Sequence, residues 1–156
     1  MMVNRVKLAG ETLVNALSVI LPDVTIIRTY TPAVAFAHLD ANETTVLVTF
    51  EDVLTDSVNS MGTKWTDVLS FTVAVVHRLE NLVDATAEAD DVLELVQRIR
   101  DGFRYRSHVV DTMSLRVVTT TAEHSASRPP YVRSKLDENL FVGFLLVEVR
   151  INGIAE

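Results

Sequence analysis

Four arginines interleave with Phe103 and Tyr105 in the stretch RIRDGFRYRSH, Arg98 to His108, and no other segment concentrates so many side chains able to grip a partner. Guanidinium groups pair phosphates and carboxylates bidentately and aromatic rings stack. Arg98, Arg100, Phe103, Arg104, Tyr105 and Arg106 could therefore hold a nucleic acid or an acidic protein surface. The plainer reading is a helix C-terminus whose basic residues complement the helix dipole while their stems cover a sheet edge. Arginine and aromatics are also what protein interfaces favour. A second group, Arg128, Tyr131, Arg133 and Lys135, lies in a late polar stretch with no preceding acid nearer than Glu123. It reads as an arm that docks on a neighbouring copy or as a solvated loop.

Catalytic chemistry is not written in the chain. The five glycines are scattered, and none begins a G-x-G-x-x-G or G-x-x-x-x-G-K loop that would cradle phosphate. The four histidines form no H-x-x-x-H pair. His77 with Glu80 and Asp84 is the nearest candidate metal group, but it straddles a strand-to-helix junction, where an ordinary, partly exposed histidine is the simpler reading. Ser70 sits mid-strand, outside any G-x-S-x-G elbow. The acidic pairs Asp90/Asp91 and Asp137/Glu138 are accounted for by a helix start and a loop. No catalytic residue, metal or cofactor is assigned.

Composition narrows the class further. At 156 residues, 48% of them apolar, the chain suffices for one domain with a substantial core. No apolar run approaches the roughly 20 residues of a membrane span, and the first residues lack a signal peptide's apolar segment, so a soluble, unsecreted protein is expected. The absence of cysteine removes disulfides, thiolate nucleophiles and zinc-thiolate sites together. A formal net charge of −7 repels phosphate backbones as a whole.

The elements that must position these groups are read from periodicity. Val6, Leu13, Leu17 and Ile20 recur at helical spacing between Asn4 and Leu21, with Pro22 as a stop. Strands are expected at Val24 to Tyr30, in the Pro32-led segment to His38, and at Thr44 to Phe50, in hairpin sequence. Trp65 to Arg78 alternates cleanly and reads as the central strand. A helix follows from Thr86 to Asp101 with Val92, Leu95, Val96 and Ile99 as its apolar stripe, acids in its opening turns, and Gly102 just past it as a left-handed terminal residue. Val109 to Thr120 is expected as one strand. Asp52 to Lys64 and Ala122 to Asn139 read as loops or arms, the latter extended by Pro129-Pro130 and ordered chiefly by a partner.

The closing run, Leu140 to Asn152, carries an unbroken apolar row at Phe141, Leu145, Val147, Val149 and Ile151. Its alternate positions begin apolar, with Leu140, Val142, Phe144 and Leu146, and turn charged at Glu148 and Arg150. Such a strand requires cover on both faces in its first half and on one in its second, from a helix, another layer or a neighbouring subunit. Leu140 and Val142 are thereby candidates for a partner surface. Phe71, Val73, Val75, Leu95, Ile99, Leu145 and Val147 are expected to be buried together, giving an α+β fold with two main helices on one face of a largely antiparallel or mixed sheet.

In order and size the elements, with WTDVLSFTVAVVHRL as central strand, EADDVLELVQRIRDGF as second helix, a polar arm and LFVGFLLVEVRI at the end, resemble the tail terminator, or tail-completion, proteins of long-tailed bacteriophages. The resemblance covers most of the chain and is one of layout, shared with neck, connector and tube-related proteins. It implies a non-enzymatic virion protein that forms a homohexameric ring in the tail or neck, assembled in the host cytoplasm. Its partners would be its own copies, the tail tube protein and the head-neck connector, with DNA passing through the channel unbound. Two other classes compete: a small enzyme or ligand-binding domain with its site under the Asp52 to Lys64 loop, and a nucleic-acid adaptor using Arg98 to Arg106.

Overall fold

The computed structural model describes residues 4–30, 39–40, 43–58, 62, 64–80, 85–103, 107–110, 113–120 and 139–154. In chain order its elements are α1 (Arg5–Ile20), β1 (Thr25–Arg28), β2 (Thr44–Val58), β3 (Lys64–Arg78), α2 (Thr86–Phe103), β4 (Ser107–Val110), β5 (Met113–Thr120) and β6 (Leu140–Ile154). The strands form one six-stranded sheet in the order β1-β2-β3-β6-β5-β4. Among the described residues only the β1–β2 pairing is parallel, so the fold is α+β with a mixed, largely antiparallel sheet.

Local signals set the ends of α1. The Asn4 side chain accepts a hydrogen bond from the Lys7 amide at 3.0 Å, satisfying one of the donors a helix start leaves free. At the other end Leu21 caps the helix just before Pro22, which cannot continue it. Helix α1 lies over β1 and β2, and α2 lies over β6, β3 and β5. Both fill the same core: Leu13 and Leu17 of α1 and Val96, Ile99 and Phe103 of α2 meet Phe71, Val73, Leu145 and Val147 of the sheet. The expected core group is buried together, with Leu95 partly buried against it. Arg5 fastens the start of α1 to the sheet by an ion pair with the buried Asp67 at 2.8 Å.

Strand β6 shows why the closing run is apolar on both sides. It is inserted between β3 and β5 in the middle of the sheet. Its odd positions join the helix-covered core, while Leu140 and Val142 are buried on the opposite face with Leu47 and Val76. Glu148 and Arg150, farther along, are half-buried. Cover on both faces in the first half is thus found within the chain itself. That corrects the assignment of Leu140 and Val142 to a partner surface, since they are 2% and 4% exposed.

Several boundaries differ from the sequence reading. Strand β1 does not form a hairpin with β2; the pair is parallel, with Ile26 opposite Val46. The segment expected as a loop from Asp52 is strand as far as Val58, and β3 begins at Lys64. Register shifts between Phe50 and Asp52 and between Thr55 and Ser57 break the alternation there, and bulges of this kind erase the period-two signal. Val109 to Thr120 is two strands, β4 and β5, paired antiparallel. The segment from Pro32 to His38 and the arm from Ala122 to Glu138 lie outside the described residues.

Gly102 is a helical residue inside α2, not a left-handed terminus beyond it. Its role is close approach: a Cβ built there would sit 2.6 Å from Cδ1 of Ile20. Gly102→Ala should therefore lower stability by about 1 kcal/mol, because overpacking outweighs the gain in helix propensity. For a chain of this size the melting temperature should fall by roughly 2–4 °C. In an Ile20→Ala background the same change should stabilise. Thermal melts of the four proteins check both signs, and a stabilising effect in the wild-type background would refute the close-approach account.

Candidate functional site

Helix α2 brings candidate groups to both of its ends. At the C-terminal end Arg98 is exposed and donates from Nη2 to the Ile20 carbonyl at 3.4 Å, joining the last turns of the two helices. Arg100 is half-buried, and its Nε has no hydrogen-bond partner among the described residues. Phe103 is 1% exposed and belongs to the core, which removes it from the set of partner-facing residues. The reason is helical phase: Phe103 continues the buried stripe of Val92, Val96 and Ile99 by one more turn. Arg104, Tyr105 and Arg106 lie outside the described residues, as do Arg128, Tyr131, Arg133 and Lys135. On the solvent side of α2, Asp90, Asp91, Glu94 and Asp101 are exposed and make an acidic stripe.

At the N-terminal end of α2 the chain builds a polar site that sequence reasoning missed. His77 stands at the end of β3, as expected, but it is buried and not partly exposed, at 6% exposure. Antiparallel pairing of β2 with β3 sets Thr44 directly across from it. Thr44 Oγ1 lies 2.7 Å from His77 Nδ1, and Glu88, in the first turn of α2, brings Oε1 to 2.9 Å from Nε2. The same carboxylate oxygen accepts the Glu80 amide at 2.9 Å, which fixes its position. A carboxylate only accepts, so in the neutral imidazole Nε2 carries the proton and Nδ1 is left to accept from the threonine hydroxyl. Hydroxyl, imidazole and carboxylate therefore form one continuous hydrogen-bonded chain.

Of the metal group considered from the sequence, His77 is engaged by Thr44 and Glu88. Glu80 contributes its backbone amide, Asp84 lies outside the described residues, and among the described residues no group of three or more metal-capable side chains occurs. Thr44 and Glu88 stand 33 and 11 residues from His77, so no short motif could have joined them. Glu88 was legible only as an acid at a helix start, and Thr44 only as the first residue of a strand. No described helix is long and apolar enough to cross a membrane. No family model matches the chain, and no curated protein matches it.

Proposed function

We propose that this chain is a ring-forming structural protein of a phage-like tail, a terminator that caps the tail tube and joins it to the head-neck connector. The observation that supports it best is the sheet's pair of unlike edges, β1 with the exposed stretch of β2 on one side and β4 on the other. Unlike edges on one subunit make a head-to-tail contact, and repetition of such a contact closes a ring when the wedge angle permits. Their charges suit each other. Glu51 and Asp52 are exposed on β2, beyond the end of β1, while Arg104 and Arg106 immediately precede β4 in the sequence. Exposed acids on α2 supply a wall along which DNA passes without sticking. Mechanism is then geometry: the closed ring ends tube growth and offers its other face to the connector.

Of the stretch named by the competing ligand-binding reading, Asp52 to Lys64, the part from Asp52 to Val58 is strand. A charge-swap experiment tests the structural reading. Arg104→Glu with Arg106→Glu should dissociate the ring without unfolding the subunit, as should Glu51→Lys with Asp52→Lys. All four changes together should restore assembly, because every copy carries both edges. Light scattering and negative-stain imaging give the readout. A wild type that stays monomeric at high concentration and in the presence of tail tubes, and binds DNA steeply with falling salt through those arginines, would establish the nucleic-acid adaptor instead.

A further inference from the structure

The geometry points to Thr44 as an activated oxygen nucleophile, able to take an acyl group from a small activated carboxylic ester. The chain of bonds at the head of α2 has the connectivity that generates such a nucleophile: hydroxyl to imidazole at 2.7 Å, imidazole to carboxylate at 2.9 Å. Both distances lie within hydrogen-bond reach for proton transfer. Three features go beyond a casual surface contact. His77 is buried, so its imidazole is held in one orientation. Glu88 is fixed in turn by the Glu80 amide. Thr44 is half-buried, while His77, whose nitrogen its hydroxyl faces, is 6% exposed.

The reaction balances within these groups. Thr44 Oγ1 attacks the acyl carbon as its proton passes to Nδ1 of His77, and the Nε2 proton stays on the ring, hydrogen-bonded to Glu88, whose charge stabilises the imidazolium. Collapse of the tetrahedral adduct breaks the bond to the leaving alcohol, which takes the proton back from Nδ1. A water molecule deprotonated by the same nitrogen then cleaves the threonyl ester to the carboxylic acid, and Thr44 Oγ1 takes that proton from Nδ1 as it leaves. An activated ester is the fitting class because a good leaving group lightens the demand for stabilising the developing oxyanion.

The probe is p-nitrophenyl acetate on the full chain, followed by rapid acid quench and peptide mass mapping. Acetyl is expected on Thr44 in the wild type and in Thr44→Ser, and absent there in the near-isosteric Thr44→Val. His77→Gln should slow the transfer by about a hundredfold or more, the usual contribution of a general base. Glu88 acts through His77 as a positioning residue, so Glu88→Gln should alter the pH profile of the rate as well as its size. Circular dichroism establishes that each variant is folded. If His77→Gln does not fold, the wild type and the two Thr44 variants decide the matter. Acetyl confined to lysines and the terminal amine in the folded wild type, or equal rates with and without the His77 imidazole, would reduce the site to a polar plug closing the end of the core.

Discussion

Val142→Asp should leave a chain that no longer folds cooperatively in water, while Val53→Asp should melt within about 2 °C of the wild type. The two valines lie on strands of the same sheet and differ in burial, with Val142 4% and Val53 50% exposed. Val142 sits on β6, one of the two central strands, on the face away from the helices, packed with Leu47 and Val76. A carboxylate there meets no water, and several kcal/mol for burying it is comparable with the whole stability of a domain, about 5–15 kcal/mol. Urea titration followed by circular dichroism checks the contrast. A soluble Val142→Asp protein with wild-type midpoint would show that this face is open in the single chain and closed only by a partner.

Ile99→Ala and Leu145→Ala should each cost about 2–5 kcal/mol, lowering the melting temperature by roughly 4–20 °C. Each side chain is at most 1% exposed in the layer between α2 and the sheet, so truncation leaves a cavity as well as losing transfer energy. Leu95→Ala is the control, because Leu95 is only half-buried at the flank of the same layer and should cost clearly less. Equal losses at all three positions would mean that the α2 register over the sheet is wrong. Since Ile99 and Leu145 belong to one cluster, the double variant is expected to depart from additivity.

The two helices, β1 and the alternation of β3 were legible because each has a period that burial on one side imposes. Asn4 and Pro22 bracket α1 as their chemistry requires. The strand content beyond Phe50 was hidden because bulges shift the register and let Val53 face solvent, which breaks alternation. The sequence also required cover on both faces at the start of β6 but could not name its source. A second face buried within one chain and a face buried by a partner leave the same apolar residues behind.

By itself the sequence determined the class of the fold, through the spacing of Leu13 and Leu17, of Val92, Val96 and Ile99, and of Phe71, Val73 and Val75. Periodicity is local, and local patterns specify which side of an element seeks the core. Only the tertiary structure decided strand order, the parallel pairing of β1 with β2, the insertion of β6 between β3 and β5, and the placing of Phe103, Leu140 and Val142 inside. It alone brought Thr44, His77 and Glu88 together. Each of those facts depends on contacts between residues far apart in the chain, where the cost of closing a loop varies only slowly with its length and no spacing rule survives.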